Sequence, residues 1–236
     1  MHGEPAPPGA WPWMVRLDIH LRTPSEKGWF ECGGTLLAPR LVLTAAHCVT
    51  DENGVEAVTT KGAWATLGRH DLGDHQLGEQ IRVARIVVHK GYGAFTKEND
   101  LALLSLSRSS RQVPAVIGAE DDWGSLARAM GWGRTGTNRP SSELLLAVDL
   151  PLVQDEDCGR FFGQFDADVM LCAGGVRGDT CFGDSGGPLM LPGGPRDWKL
   201  IGVTSFGRAE CAAPGVPAVY AWVAGDELHG WIARHS

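Results

Sequence analysis

The residues best suited to chemistry lie in the stretch 178–188, which reads GDTCFGDSGGP. Ser185 stands there between an aspartate and two glycines, a context that suits a nucleophile held on a tight turn. A serine hydroxyl is a weak nucleophile, so it needs a neighbouring base and a group that orients that base. The same composition is ordinary in a surface turn. A catalytic interpretation therefore depends on finding both partners elsewhere in the chain.

Candidates for both partners occur earlier in the chain. His47 lies in the segment TAAHC, and Asp100 lies in the segment NDLALLSL. A histidine can take the serine proton during attack and return it to the leaving group. A carboxylate on its other ring nitrogen fixes the tautomer and stabilises the imidazolium. Taken singly, His47 is one of eight histidines and Asp100 resembles an ordinary loop cap. Together with Ser185 they favour nucleophilic hydrolysis.

Cysteines form a second set of reactive residues, and there are six of them. An even number permits three disulfides, and spacing alone does not choose among the fifteen pairings. No Cys-x2-Cys pair typical of zinc sites occurs. We therefore expect no metal and no other cofactor, and we expect a secreted, extracellular protein. The start MHGEPAPPGA does not resemble a signal peptide, so the expected leader lies outside this sequence.

The overall composition argues against several classes of protein. The net charge of -7 is unfavourable for a nucleic-acid partner, because a phosphate backbone attracts concentrated lysine and arginine. No apolar run approaches the ~18 residues that would span a bilayer, so we expect no membrane span. Nothing in the sequence indicates an oligomer, and we expect a monomer.

The elements that must position these residues are predicted to be short strands. The chain of 236 residues contains Gly 32 and Pro 14, a usage that indicates many turns. Apolar runs and alternating patterns predict strands at 11–21, 29–37, 40–44, 63–67, 81–89, 101–106, 127–131, 144–153, 169–173, 188–190, 199–205 and 218–223. Short helical segments are predicted at 44–48, 152–162 and 226–234. Many short strands favour a β-sandwich or a β-barrel.

The three motifs TAAHC, NDLALLSL and GDSGGP, in this order, resemble those of the trypsin-like serine proteases of the chymotrypsin family. The resemblance extends from about Gly9 through the terminal helix. It implies an all-β fold of two packed six-stranded Greek-key barrels with a C-terminal helix, in a single peptidase domain. The first barrel would cover about 11–108, the connection 109–124, the second barrel 125–223 and the helix 226–234. It also implies that His47, Asp100 and Ser185 form the catalytic triad.

The resemblance also assigns roles to residues that bind the substrate. Asp179 would lie at the base of the primary pocket and favour Arg or Lys, with Thr180 beside it supplying a hydroxyl. The segment Ser205-Phe206-Gly207 would pair with the substrate backbone as an added strand, and Ser205 would also support Asp100. Phe206 stands where tryptophan is usual. Ala218 stands where glycine is usual in the pocket wall, so its methyl group should narrow the slot.

Further expectations concern the frame around the nucleophile. The backbone N–H groups of Gly183 and Ser185 would form the oxyanion hole. The resemblance implies disulfides between Cys32 and Cys48, between Cys158 and Cys172, and between Cys181 and Cys211.

Activation is the first point at which the sequence departs from the family pattern. In this family, cleavage frees an isoleucine whose ammonium inserts beside the aspartate before the nucleophile, here Asp184. Counting back from PGAWPW, Met1, His2 and Gly3 fill the places that follow that isoleucine. Either the sequence starts one residue after that isoleucine, or Met1 begins a form that does not mature in the usual way. Without the isoleucine we expect a zymogen-like state, with Gly183 and Asp179 imperfectly placed.

The second departure is in the loop after Leu67, which corresponds to a calcium loop in some relatives. Arg69 falls at one acidic position and Glu79 near the other. We expect an ion pair in place of a required calcium ion.

Taken together, these features predict a secreted endopeptidase that cleaves protein or peptide substrates after Arg or Lys through an acyl-enzyme intermediate. Its expected partners are such substrates and protein protease inhibitors. An alternative is a non-catalytic extracellular binding protein on the same scaffold, since a fold alone does not establish function. A structural or inhibitory module is a more distant alternative, for which the sequence offers no positive feature.

Overall fold

The computed structural model describes residues 2–22, 27–122, 124–176, 178–194 and 197–236. Trp123, in the predicted connection, lies outside the described residues. The strands are β1 (Glu4–Pro5), β2 (Met14–Arg22), β3 (Lys27–Ala38), β4 (Leu41–Thr44), β5 (Val58–Leu67), β6 (Glu79–Val88), β7 (Ala102–Leu106), β8 (Val116–Ile117), β9 (Leu126–Gly131), β10 (Leu146–Val153), β11 (Met170–Gly174), β12 (Pro188–Gly194), β13 (Asp197–Phe206) and β14 (Pro217–Trp222). A 3₁₀ turn (Ala46–Cys48) and the helices α1 (Asp155–Phe161) and α2 (Asp226–His235) complete the described elements.

The first barrel is built from β2 to β7 in the order β2-β3-β4-β7-β6-β5, and β5 pairs back to β2. In β6, Ile81 and Val83 are buried while Gln80 and Arg82 are exposed. This period-two alternation places one face of an antiparallel strand on the core. A bulge between Val83 and Arg85 interrupts the alternation. The strand pattern of the sequence thus closes around an apolar interior.

The second barrel closes through β9-β10-β11-β14-β13-β12 and back to β9. Strand β1 extends this sheet at β10, and the short β8 pairs in parallel with β13. The predicted fold class, two six-stranded antiparallel barrels with a C-terminal helix, is confirmed. One buried cluster joins the barrels, since it contains Leu36 and Val42 from the first and Met130 and Val203 from the second.

The boundaries differ from the sequence prediction at several elements, including the first helix. Leu152 and Val153 were predicted both as the end of the strand 144–153 and as the start of the helix 152–162, and they continue β10 and pair with Ala173 and Cys172. The helix α1 begins at Asp155, where three acidic residues lie in its first turn and interact favourably with the helix dipole. The short strands β1 and β8 have no strand pattern of their own and were not predicted. Across the described residues, neither α1 nor α2 has the length and apolar character of a membrane-spanning helix.

Candidate active site

The histidine and aspartate of the predicted triad are bonded to each other in the first barrel. His47 lies in the 3₁₀ turn directly after β4, and Asp100 lies just before β7, the strand that pairs with β4. Nδ1 of His47 is 2.7 Å from Oδ2 of Asp100, and the backbone N–H of His47 donates to Oδ1 at 2.9 Å. These two contacts fix the imidazole and leave its Nε2 as the nitrogen that can exchange a proton.

Asp100 is completely buried, and a residue of the second barrel completes its environment. The hydroxyl of Ser205, near the end of β13, donates to Oδ2 at 2.5 Å. Burial by itself raises the pKa of Asp100, but the charge and hydrogen bonds of His47 and the Ser205 hydroxyl bring it below its ordinary value. Asp100 is therefore held as a carboxylate.

Ser185 lies on a turn that is fixed to both barrels. Its carbonyl oxygen accepts a hydrogen bond of 2.7 Å from the N–H of Gly33 in β3, and the N–H of Gly186 donates to Thr204 at 2.8 Å. Gly186 has a φ of 78°, and a Cβ there would overlap Oγ1 of Thr44. Only glycine suits both constraints, so the turn holds the nucleophile at the junction between the barrels.

Gly183 lies near Ser185 and His47 in one cleft of about 950 Å³. Its φ of 93° lies in the left-handed region that favours glycine. Within the described part of the chain, no acceptor is bonded to the backbone N–H of Gly183 or of Ser185. Both groups are thus able to donate to a ligand in the cleft.

Asp179 is buried at 7% exposure and lines a small cavity of about 70 Å³ instead of this cleft. Burial raises its pKa to about 6, although hydrogen bonds from the backbone N–H groups of Thr180 and Ala212 and from the Thr180 hydroxyl oppose the shift. The N–H of Thr180 is 2.8 Å from Oδ1 of Asp179, and its hydroxyl is 3.5 Å from the same oxygen. A desolvated carboxylate of this kind is unfavourable by itself and is well suited to a cation.

The residues expected to form the pocket walls also lie together. A Cβ built on Gly207 would be 3.8 Å from Cβ of Ala218, which is buried on β14. Phe206 packs its ring edge-on against Phe162, with centroids 5.4 Å apart. The methyl group of Ala218 therefore faces a glycine across a narrow gap.

Asp184 lines the same cavity of about 70 Å³ as Asp179, and His2 and Gly3 also line it. The backbone N–H groups of Gly133 and Cys181 each donate to its carboxylate at 2.9 Å. Burial raises the pKa of Asp184 despite these two bonds. A Cβ on Gly133 would lie 2.5 Å from the carboxyl carbon.

Two glycines that sequence reasoning missed support the site. The N–H of Gly33 holds Ser185, and a Cβ on Gly33 would lie 2.7 Å from Cα of Gly187. Gly133 holds Asp184 in a similar way. At Gly33 another backbone segment approaches too closely for a side chain, and at Gly133 the carboxylate of Asp184 does. The segments CGG and GWG carry these glycines, but glycine in such segments is also typical of ordinary turns.

The disulfides join Cys32 with Cys48, Cys158 with Cys172, and Cys181 with Cys211, the pairs implied by the resemblance. The first links β3 to the turn that carries His47. The third starts within the Ser185 stretch. Two of the three cross-links therefore restrain segments that carry the site.

The expected ion pair between Arg69 and Glu79 is not formed, which corrects that prediction. Glu79 is bonded to Arg108 at 2.8 Å and to Ser110 at 2.5 Å. Arg69 instead donates to the carbonyl of Leu77 at 3.1 Å. The connection after β7 folds back over Glu79 and supplies donors that the loop sequence could not reveal.

Comparison with known proteins agrees with this geometry. The Trypsin family model matches residues 1–232. The proclotting enzyme of Tachypleus tridentatus is 35% identical over 252 residues, which cover 99% of this chain and 65% of that protein. The venom protease of Bombus pensylvanicus is 36% identical over 231 residues, with 92% of each protein covered. The CLIP domain-containing serine protease B4 of Anopheles gambiae is 35% identical, with 98% of this chain and 68% of that protein covered.

Two closed barrels with a histidine and an aspartate bonded beside a serine-lined cleft define a trypsin-like serine protease. The family match and these relatives show that the chain belongs to the trypsin-like serine protease family. It spans about two thirds of the length of the proclotting enzyme.

Proposed function

We propose that the chain is a secreted endopeptidase that cleaves peptide bonds after Arg or Lys, with His47, Asp100 and Ser185 as its catalytic residues. The observation that carries the proposal is the 2.7 Å bond between His47 and the buried Asp100 in the cleft that Ser185 lines. A carboxylate there orients the imidazole and stabilises the imidazolium formed during attack.

The proposed reaction gives each of these residues one role. Oγ of Ser185 attacks the scissile carbonyl carbon while Nε2 of His47 takes the hydroxyl proton. The tetrahedral intermediate collapses, the C–N bond breaks, and His47 gives the proton to the leaving amine. Water then attacks the acyl carbon while His47 takes its proton; the ester C–O bond to Ser185 breaks, and His47 returns the proton to Oγ of Ser185. Asp100 remains a carboxylate throughout.

The oxyanion of each tetrahedral intermediate would accept hydrogen bonds from the backbone N–H groups of Gly183 and Ser185. Their lack of acceptors among the described residues supports this role. One such donor contributes about 3 kcal/mol to stabilisation of the transition state.

Specificity for Arg or Lys rests on the buried carboxylate of Asp179. A substrate guanidinium or ammonium would compensate its desolvation through charge and hydrogen bonds, which an apolar side chain does not offer. Thr180 supplies a further hydroxyl at the pocket base. Residues Ser205, Phe206 and Gly207 would hold the acyl half of the substrate as an added strand.

Secretion and extracellular protein partners belong to the same proposal. Three disulfides suit an oxidising compartment, and similar proteins bear the names proclotting enzyme and venom protease. Protein substrates and protein protease inhibitors would occupy the same cleft of a monomer.

Activation is proposed to depend on the cavity beside Asp184. An ammonium inserted there would compensate the buried carboxylate and fix the neighbouring Gly183. The test adds an isoleucine before Met1, freed by cleavage of a removable leader. A gain in amidase activity is expected, and equal activity with and without the isoleucine would contradict this proposal.

Hydrolysis of chromogenic Arg, Lys and Phe anilides by the chain with this isoleucine terminus tests the proposed function. Turnover of Arg and Lys anilides is expected, with the Ser185→Ala variant inactive although folded. Preferred turnover of the Phe anilide would refute the role of Asp179. Activity retained by Ser185→Ala would refute the mechanism.

A further inference from the structure

The cleft that contains Ser185 is not lined by the residues proposed to form the specificity pocket. His47, Gly183 and Ser185 line it, whereas Asp179 and Ala218 do not. If the acyl half of the substrate lies in the pocket, as the proposed function requires, the leaving half must enter this cleft. This inference therefore rests on that function and concerns the substrate residues after the cleaved bond.

Two arginines from the connection between β9 and β10 give this cleft a positive charge. Arg134 and Arg139 line it, and both are exposed. Neither forms an ion pair with any described residue. The chain as a whole carries a net charge of -7, so the positive charge of the cleft is a local feature.

The acidic residue of the same cleft, Glu31, is paired with an arginine outside it, Arg16, which also contacts Asp18 at 3.2 Å. Oε1 of Glu31 lies 2.6 Å from Nη2 of Arg16, whose side chain is only 9% exposed. Glu31 also accepts a hydrogen bond of 3.1 Å from Ser141. Its two carboxylate oxygens are therefore bound by Arg16 and Ser141, and among the described residues no ion pair joins Glu31 to Arg134 or Arg139.

The guanidinium of Arg134 is oriented by the aromatic residue next to Gly183. It lies 5.5 Å from the ring centroid of Phe182, which is 51% exposed. The N–H of Arg134 also donates to the carbonyl of Phe182 at 2.8 Å. Stacking of this kind directs a guanidinium without using its capacity for carboxylates. Ser185 and both arginines line one cleft, and three extended residues reach about 10 Å, which sets the first three residues of the leaving segment as the range to test.

We propose that Arg134 and Arg139 select substrates that carry Asp or Glu within the first three residues after the cleaved bond. The occupant of this cleft is the acidic leaving segment of a protein substrate. Both arginines are specificity residues that contact the substrate and take no part in proton transfer. Because the pairs are exposed, we expect a preference of about five-fold at low ionic strength.

The test uses internally quenched peptides with a single Arg before the cleaved bond. Glu or Gln occupies the first, second or third position after that bond, and kcat/KM is measured for each pair. Two double variants are compared with the wild type. The test variant carries Arg134→Gln and Arg139→Gln, and the control carries Arg85→Gln and Arg160→Gln. The control changes the net charge equally at exposed residues outside the cleft.

The expected ratio of kcat/KM for Glu over Gln peptides is about five at the best position. It should fall to about one in the Arg134 and Arg139 variant and persist in the control. In 1 M salt the wild-type ratio should also fall to about one, since the Debye length shrinks to about 3 Å. If the variant does not fold, the salt dependence of the wild-type ratio still tests the inference.

A wild-type ratio of one at all three positions would overturn the inference, as would a ratio unaffected by the two substitutions or by salt. The Arg anilide separates this failure from failure of the proposed function, because it has no residues after the cleaved bond. Anilide turnover with no acidic preference rejects only this inference. Absence of anilide turnover rejects both.

Discussion

Ser205 and Asp100 join the two barrels through a hydrogen bond of 2.5 Å between a hydroxyl and a completely buried carboxylate. Ser205 belongs to the second barrel and Asp100 to the first. The bond therefore links the proposed substrate-binding strand to the residue that orients His47. It also explains part of the lowered pKa of Asp100.

The substitution Ser205→Ala should lower kcat by about ten-fold, because a hydrogen bond to a charged group contributes about 1.5 kcal/mol. Ser110→Ala is a matched control, since its buried hydroxyl donates to Glu79 at the same distance but outside the cleft. Both variants should lose similar stability in urea unfolding. An equal fall in kcat for both would show that the Ser205 effect is only structural.

Protonation of Asp179 should set the pH dependence of cation binding. Its pKa in the free protein is raised to about 6, and only the carboxylate attracts a cation. The Kd for benzamidine, an aromatic amidine cation, should be constant above that pKa and rise about ten-fold per pH unit below it. Binding near pH 6 should release protons. Calorimetry in two buffers measures both effects.

Asp179→Asn is the control for this titration. It should weaken benzamidine binding at high pH and remove the dependence near pH 6. A dependence that persists in Asp179→Asn would assign the titration to another group.

The bond between His47 and Asp100 and the shared cleft of His47 and Ser185 agree with the sequence, because the chemistry proposed for these residues is carried by residue type. The barrels could be predicted where one face is buried, as in β6, because alternation follows directly from strand geometry. The partners of Glu79 could not be predicted in this way. Arg108 and Ser110 reach it only after the chain has crossed β7, and no local pattern encodes that path.

Removal of the Ala218 methyl group should widen the proposed pocket. Ala218→Gly opens the gap opposite Gly207, where the two Cβ positions are 3.8 Å apart. We expect kcat/KM for Arg and Lys anilides to rise about three-fold, with a loss of about 1 kcal/mol in stability from glycine in a strand. The ratio of Arg to Lys turnover measures which side chain the methyl group obstructs.

Ala221→Gly, on the same strand and equally buried, is the matched control for Ala218→Gly. It should lose stability without a gain in turnover. Slower hydrolysis of both substrates by Ala218→Gly would mean that the methyl group contacts the substrate favourably.

The buried Glu79 should stabilise the first barrel through its own donors. Its side chain is 3% exposed, and it is bonded to Ser110, Arg108 and the N–H of Arg111. Burial raises its pKa, but these bonds lower it below its ordinary value. The stabilisation is therefore complete above the unfolded pKa and is lost as pH falls through the lower folded pKa.

Glu79→Ala should cost about 3 kcal/mol at pH 7, since it leaves buried donors without an acceptor. Arg108→Ala should cost about 1 kcal/mol, because that arginine is 53% exposed. Urea unfolding at pH 7 and pH 3 measures both, and both costs should shrink in acid. Added calcium should leave the wild-type Tm unchanged, since the carboxylate oxygens already accept these donors. A larger loss of stability for Arg69→Ala than for Arg108→Ala would contradict this account and indicate that Arg69 pairs with Glu79.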